Sequence, residues 1–130
     1  REGPSCRESV LMHAVALLAL PPLIPRIQVS WVQMGVEGVK ACLAAGVNDM
    51  GGSLMNESIS RAAGAGFGQE LPPEEMERTI RVMARNPRQR TTEYGPAPEE
   101  RQIASFNAPE LLPLVLTPAK KYERKSPVTA

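Results

Sequence analysis

The sequence predicts an α/β fold in which helices alternate with parallel strands. Amphipathic helical segments recur along the chain, two short β-branched segments lie between them, and Gly or Pro residues separate the elements. Strands joined by helical crossovers of about a dozen residues pair in parallel. Two strands are too few for a stable parallel sheet. We therefore expect either strong dimerisation or that the chain is the last piece of a larger barrel.

The first predicted elements are a helix over Arg7–Leu20 and a strand over Ile27–Val32. In the helix, apolar side chains recur at the i, i+4, i+7 and i+8 positions, and Pro21 ends it. The strand, with the sequence IQVSWV, alternates apolar and polar residues and contains β-branched side chains.

Three shorter elements follow. We predict a helix over Gly35–Ala45, ended by Gly46, because its apolar residues share one side. Val47–Met50 is expected to form a second short strand. Ser53–Ala63 is expected to be helical, with Ser53 as the N-cap.

The segment Pro73–Arg85 has the clearest helix signals. Pro73 suits the first helical position, and the acidic residues after it favour the positive end of the helix dipole. We expect i,i+4 ion pairs Glu74–Arg78 and Glu77–Arg81. The side chains expected to face inward are Met76, Ile80, Met83 and Ala84. After Tyr94 the chain is rich in proline, and we interpret it as a surface extension or a partly disordered tail.

Composition excludes some functions and favours others. With 15 basic and 14 acidic residues the net charge is +1, so nothing global indicates nucleic acid or a membrane surface. The 42% apolar content is that of a globular chain. The two cysteines, Cys6 and Cys42, lack metal-ligand spacing, and we expect a reducing, cytoplasmic setting. The apolar run over Ala14–Ile24 is broken by two prolines and is too short to span a bilayer.

Polar residues follow both predicted strands, where ligands bind in parallel α/β folds. Glycines there allow a ligand to approach the backbone closely. The candidate substrate-binding residues are Gln28, Ser30, Trp31, Asn48, Asp49, Gly51, Gly52, Glu57 and Arg90. We assign no catalytic or metal-binding residue, because the sequence contains no Ser-His-Asp set, Walker loop or metal-ligand spacing.

A structural interpretation of the same residues stays open. A strand-to-helix turn with an Asx cap also uses an NDxGG sequence. The cluster Arg85, Arg88 and Arg90 either binds a carboxylate or phosphate or forms a solvated basic face. Trp31 either packs or stacks on a ligand, and a structural role is the more common one for a lone histidine such as His13.

Several sequence blocks together resemble one enzyme family. SWV at 30–32, NDMGG at 48–52, SLMNESISRAAGA at 53–65 and RQRTTEYG at 88–95 occur in the order found in FO synthases. Residues 1–95 resemble the C-terminal part of the tyrosine-using radical S-adenosylmethionine (SAM) half of that family. Radical enzymes of the menaquinone pathway share the first two blocks and are the alternative relatives.

The resemblance implies the C-terminal portion of a radical SAM (β/α) TIM-like barrel, incomplete in this chain, over 1–95, with a Pro-rich, partly disordered extension over 96–130. In such enzymes a 4Fe-4S cluster cleaves S-adenosylmethionine. A hydroxybenzyl group from tyrosine is then joined to 5-amino-6-(D-ribitylamino)uracil during deazaflavin biosynthesis. This chain lacks the CxxxCxxC cluster motif. We therefore expect it to be a fragment that needs the missing N-terminal half of the barrel as its partner and is inactive alone.

Some positions depart from the family. A lysine is usual where Gln33 stands and a histidine where Phe67 stands, and either change would weaken substrate binding. A non-catalytic interaction module derived from the barrel is the alternative from a different functional class.

Overall fold

The computed structural model describes residues 3–54, 59–62, 67–109 and 111. Within these ranges the chain contains helices and turns but no β-strand. The helices are α1 (Cys6–Ala19), α2 (Trp31–Ala44), α3 (Ile59–Ala62), α4 (Pro73–Val82) and α5 (Glu99–Phe106). None of these helices is long and apolar enough to cross a membrane.

Helix α1 lies within one residue of its predicted bounds at each end. It begins with a capping box, in which Ser5 Oγ accepts a hydrogen bond from the Glu8 amide while the Glu8 carboxylate accepts one from the Ser5 amide. The Ser5 hydroxyl also donates to this carboxylate at 2.7 Å, and the bonds from the Ser5 hydroxyl and the Ser5 amide lower the pKa of the Glu8 carboxyl. The helix ends just before the Pro21-Pro22 pair, which cannot continue it.

The prediction of a strand over Ile27–Val32 is wrong at its C-terminal end, because α2 already begins at Trp31. Gly35 interrupts α2 with a φ of 65°, and only the part after this kink corresponds to the helix predicted from position 35. A β-carbon at Gly35 would lie 2.5 Å from the Phe67 ring, so glycine is required there on both conformational and steric grounds.

The two predicted strands are reduced to one parallel bridge, between Gln28 and Asp49. The Val29 amide donates to the Asp49 carbonyl at 3.0 Å, and the Asn48 amide donates to the Ile27 carbonyl at 3.4 Å. The parallel direction was predicted correctly, but the sheet was not. A pair of short segments without neighbouring strands in the described part of the chain does not extend into a regular ladder.

The hydrophobic core lies between these bridged segments and α2. Its fully buried side chains are Val29, Val39, Cys42 and Val47. Leu17 of α1 packs on this core, as do three side chains of α4, namely Met76, Ile80 and Met83. These three were predicted to face inward and do so, whereas Ala84 is exposed.

The C-terminus of α4 is a Schellman motif. The Arg85 amide donates to the Ile80 carbonyl at 3.2 Å and the Ala84 amide to the Arg81 carbonyl at 2.9 Å. Ala84 adopts the left-handed conformation that this motif usually reserves for glycine, with a φ of 55°. The helix therefore ends three residues earlier than predicted, at Val82. On α4, Arg81 pairs with Glu77 as predicted, whereas Arg78 pairs with Glu75 instead of Glu74.

Two features of the surface differ from the predictions. Helix α5 was not predicted, although Pro98 followed by two glutamates repeats the start of α4. On α1, three of the apolar side chains on which the helix prediction was based are exposed. Leu11, Val15 and Leu18 are 52%, 60% and 87% exposed. Of the third predicted helix, Ser53 and Leu54 lie outside the helices, and residues 55–58 and 63 lie outside the described residues.

Candidate functional site

The carboxylate of Asp49 is the centre of the candidate site. The residue is 8% exposed and lies two positions after the buried Val47. Its Oδ2 accepts a hydrogen bond from Arg90 Nε at 2.6 Å, and its Oδ1 accepts from Arg90 Nη2 at 3.0 Å. Oδ1 also accepts from the Gly51 amide at 2.7 Å. The carboxylate is thus held in place by a bidentate arginine and by the turn that follows it.

The guanidinium of Arg90 connects this carboxylate to two further groups. Its Nη1 donates to the Thr91 carbonyl at 3.1 Å, and its Cζ lies 4.4 Å from the centroid of the Tyr94 ring. The hydrogen bonds to Asp49 raise the pKa of Arg90 further above its ordinary value. Arg90 is therefore a fixed cation that takes no part in proton transfer near neutral pH.

Two hydrogen bonds, one to the Asp49 side chain and one from the Trp31 side chain, hold the turn after Asp49. Gly51, with a φ of 75°, donates its amide to Asp49, and the carbonyl oxygen of Gly52 accepts from the Trp31 indole at 2.9 Å. Trp31 is 4% exposed, so it packs in the core instead of offering a stacking surface. Gly52 is exposed, and no described atom lies within 4 Å of the position that a β-carbon would occupy there. Among the described residues, none beyond the immediate chain neighbours therefore covers the turn at Gly52.

Gln28 lies beside this open turn. Its Oε1 accepts a long hydrogen bond from Arg90 Nη2 at 3.4 Å, and its Nε2 lies 2.8 Å from the position of a β-carbon on Gly51. Because a guanidinium only donates, the amide oxygen must face Arg90 and the amide nitrogen must face Gly51. Gln28 is an exposed residue, so its side-chain amide supplies an N–H donor next to Gly51.

Asn48 lies outside this group. Its Oδ1 accepts from the Ile27 amide at 2.9 Å, and its Nδ2 donates to the Pro25 carbonyl at 2.8 Å. Successive residues in an extended segment point to opposite sides, which separates this side chain from that of Asp49. Asn48 thus fixes the segment that leads into the bridge.

The remaining predicted site residues are dispersed. Ser30 occupies the N-cap position of α2 and is half-buried, and within the described residues its side chain makes no capping hydrogen bond. Glu57 lies outside the described residues. The structure thus brings together Gln28, Trp31, Asp49, Gly51, Gly52 and Arg90.

The basic cluster and the lone histidine are resolved by their contacts. Arg85 Nη1 donates to the Val47 carbonyl at 2.5 Å. Arg85 and Arg90 thus bond two different groups of the segment 47–49, whereas Arg88 is exposed. His13 Nδ1 bonds the Ser9 carbonyl at 2.7 Å, one turn earlier in α1, which supports its structural interpretation.

Tyr94 is the site residue that the sequence analysis missed. It lies in the turn from Thr91 to Gly95, where the Thr91 amide donates to the Gly95 carbonyl at 2.9 Å. A second guanidinium, that of Arg26, lies 5.8 Å from its ring centroid. An aromatic residue between a basic segment and a glycine was the available signal.

The described residues do not fit an iron–sulfur cluster. The chain has two cysteines, one exposed at the start of α1 and one buried in α2. Among the described residues no group of three His, Cys, Asp or Glu side chains is placed to hold a metal ion. No step of a reaction is therefore assigned to a cluster held by these residues.

Three enzymes of other organisms are similar to this chain in sequence. The chain is 44% identical over 119 residues to the FO synthase of Streptomyces coelicolor, covering 88% of this chain and 14% of that protein. It is 53% identical over 96 residues to the 5-amino-6-(D-ribitylamino)uracil–L-tyrosine 4-hydroxyphenyl transferase of Methanopyrus kandleri, covering 74% of this chain and 26% of that protein. The corresponding transferase of Archaeoglobus fulgidus is 45% identical over 94 residues, and the match covers 27% of its length.

The chain therefore spans between 14% and 27% of these relatives. No solved structure matches it. The family model described as the CofH/MqnC C-terminal region matches residues 2–103, which include every residue of the site around Asp49. By this match, the chain belongs to the CofH/MqnC C-terminal region family.

Proposed function

We propose that this chain is the C-terminal part of a radical SAM transferase of deazaflavin biosynthesis. The complete enzyme joins a hydroxybenzyl group from tyrosine to 5-amino-6-(D-ribitylamino)uracil. The family match and the names of the relatives in Streptomyces and Methanopyrus support this assignment. In this proposal residues 1–95 complete a (β/α) barrel domain and residues 96–130 form an extension.

The role proposed for this region is to bind and orient substrate. The supporting observation is the turn at Gly51 and Gly52, which Asp49 and Trp31 fix from inside and which, at Gly52, no described residue beyond its chain neighbours covers. A pre-organised polar edge of this kind binds a substrate without losing further conformational entropy, because its own groups are already ordered. The exposed Nε2 of Gln28 suits a carbonyl oxygen, a group that the uracil ring provides.

Asp49 and Arg90 support the substrate site indirectly. Because the carboxylate already accepts from Arg90 and from Gly51, it is poorly placed to act as a general base. In this proposal the reactivity comes from the cluster and from S-adenosylmethionine, both held by the rest of the enzyme. Ser30 and Glu57 remain proposed contacts of the same barrel edge. Asn48, whose side chain bonds the Ile27 amide and the Pro25 carbonyl, is proposed to hold the segment that leads to this edge.

The partner proposed for this region is the remaining, N-terminal part of the barrel. Exposed apolar side chains on and after α1 support it, because such a surface is uncommon on an isolated domain. They include Leu11, Met12, Val15, Leu18 and Leu23, of which Leu23 is 90% exposed. The proposed setting is the cytoplasm, where free thiols such as Cys6 stay reduced.

Substitution of Gly52 by alanine tests substrate binding. A β-carbon there meets no described atom, so folding stability should not change, whereas a ligand seated on the turn would be displaced. Isothermal titration of 5-amino-6-(D-ribitylamino)uracil into the 130-residue chain should show binding at least tenfold weaker for Gly52→Ala. Gly3→Ala is the matched control, because its β-carbon also meets no described atom. Equal affinities for the two variants would contradict the proposal.

Binding of 5-amino-6-(D-ribitylamino)uracil also distinguishes the proposed function from the two alternatives, a menaquinone-pathway relative and a non-catalytic interaction module. A relative from the menaquinone pathway would not bind the ribitylaminouracil, and a non-catalytic interaction module would bind neither this compound nor tyrosine. Binding that is lost in Gly52→Ala would exclude both alternatives.

A further inference from the structure

Tyr94 has a backbone conformation that its side chain does not favour. Its φ is 63°, in the left-handed region that residues other than glycine, asparagine and aspartate rarely adopt. The turn that imposes this conformation is closed by hydrogen bonds between Thr91 and Gly95, including one from the Gly95 amide to Thr91 Oγ1 at 3.1 Å. Strain of this kind persists where the surrounding structure needs the side chain in one place.

Burial does not explain why a tyrosine stands there. The residue is 46% exposed, so burial of the aromatic ring contributes only part of the stabilisation that a fully buried ring would give. What the ring does contact is the guanidinium of Arg90, at 4.4 Å from its centroid, and more distantly that of Arg26, at 5.8 Å. Both distances are within the range of attraction between a cation and an aromatic face.

The contact with Arg90 continues to the open turn. Arg90 holds both oxygens of Asp49, and Asp49 holds the Gly51 amide. The same guanidinium also sets the orientation of the Gln28 amide. A guanidinium confined on one side by an aromatic ring has fewer orientations available. It therefore loses less conformational entropy when it forms each of these hydrogen bonds.

We propose that Tyr94 is a positioning residue, which holds Arg90 against Asp49 and thereby keeps the Gly51-Gly52 turn and the Gln28 amide in the arrangement that receives substrate. The part of this statement that concerns substrate rests on the proposed function, whereas the part that concerns Arg90 does not. Tyr94 itself is not placed in contact with the reacting atoms.

The test compares three variants of the full 130-residue chain. Tyr94→Phe keeps the ring, Tyr94→Asn removes it but tolerates a positive φ, and Tyr94→Gly removes it and relieves the strain. The last two should fold, so a change in the site cannot be attributed to loss of structure. Hydrogen exchange of the Arg90 Nε–H and of the Gly51 amide is measured by NMR. The Val47 amide, bonded to the Cys42 carbonyl at 3.0 Å, reports on global opening.

We expect exchange at Arg90 and Gly51 to be about fivefold faster in the Asn and Gly variants, with Val47 unchanged and Tyr94→Phe like the wild type. Affinity for 5-amino-6-(D-ribitylamino)uracil should fall about fivefold in the same two variants and recover in Tyr94→Phe. Unchanged exchange at Arg90 and Gly51 in both ring-free variants would overturn the inference. Faster exchange with unchanged affinity would support the contact with Arg90 and contradict the proposed function instead.

Discussion

Arg90 and Asp49, 41 residues apart in the chain, form a bidentate ion pair with an Nε–Oδ2 distance of 2.6 Å. The pair joins the segment after α4 to the end of the parallel bridge, and its carboxylate also holds the Gly51 amide. Side-chain exposure is 27% for Arg90 and 5% for Asp49. A nearly buried carboxylate depends on this partner, because an unpaired charge in that environment is strongly unfavourable.

Removal of the charge at position 49 should therefore destabilise the chain. We expect Asp49→Asn to lower the free energy of unfolding by about 2 kcal/mol, less than for a fully buried pair because Arg90 is partly solvated. Arg90→Lys, which keeps the charge but loses the bidentate geometry, should cost about 1 kcal/mol. Urea unfolding of the chain measures both.

The control for this pair is Arg88→Lys, since Arg88 is exposed and lies two residues away. Its effect should stay within about 0.5 kcal/mol. If Asp49→Asn were no more harmful than this control, the ion pair would not be a structural support of the site.

Ala84 offers a stabilising substitution. It occupies the left-handed position of the Schellman motif at the end of α4, with a φ of 55°. Ala84→Gly should raise the free energy of unfolding by about 0.5–1 kcal/mol, because glycine adopts this conformation without steric cost. Ala44→Gly is the matched control, because Ala44 ends α2 and is also exposed. Thermal unfolding should show opposite shifts for the two variants, and a loss of stability in both would contradict the cap geometry.

Gly35 is required by both its conformation and its neighbour. Gly35→Ala places a methyl group 2.5 Å from the Phe67 ring at a φ of 65°, and we expect a cost of about 2–3 kcal/mol. Adding Phe67→Ala should recover the steric part of this cost and leave about 1 kcal/mol of backbone strain. A double-mutant cycle by urea unfolding measures the coupling. Strictly additive effects would mean that the ring moves aside freely.

The two cysteines should differ sharply in reactivity. Cys6 is exposed, whereas Cys42 is fully buried and burial raises the pKa of its thiol. Since the thiolate is the reactive form, iodoacetamide at pH 8 should label Cys6 and leave Cys42 unmodified until urea is added. Mass spectrometry of peptides counts the labels at each position. Labelling of Cys42 at the rate of Cys6 in the native chain would contradict the described core.

The Cys42 thiol should also make the free energy of unfolding depend on pH. Its folded-state pKa is raised, so its contribution to stability is complete below the unfolded pKa and is lost as pH rises through the folded one. We expect stability to fall from about pH 8.5 upwards. Cys42→Ala should lack this part of the decline, and an identical pH profile in both proteins would exclude Cys42 as its cause.

Elements with local signals were predictable from the sequence. The start of α1 lies one residue before the position predicted from apolar spacing, and α4 begins at Pro73, as its proline indicated. The prediction of a strand over Ile27–Val32 was wrong because only Gln28 forms a bridge there, whereas the Ser30 carbonyl accepts from the Met34 amide and α2 begins at Trp31. The end of α4 was misplaced for the opposite reason, because an alanine takes the left-handed position where glycine is the usual signal.

The site was predictable in composition but not in arrangement. The NDxGG block correctly indicated a turn with a carboxylate, yet Asn48 and Asp49 serve different segments. That separation follows from the alternation of an extended backbone. The role of Tyr94 depends on a turn that brings its ring over Arg90, and this required the structure.

The most direct measurement is a region exchange in the FO synthase of Streptomyces coelicolor, the relative that aligns with 88% of this chain. Residues 2–103 of the chain replace the corresponding region of that enzyme, and the deazaflavin product is measured after reconstitution of its cluster. We expect product from the exchanged enzyme, at least tenfold less product when Gly52→Ala is added, and no loss with Gly3→Ala. A folded, cluster-loaded exchange enzyme that forms no product would contradict the assignment of this chain to deazaflavin biosynthesis.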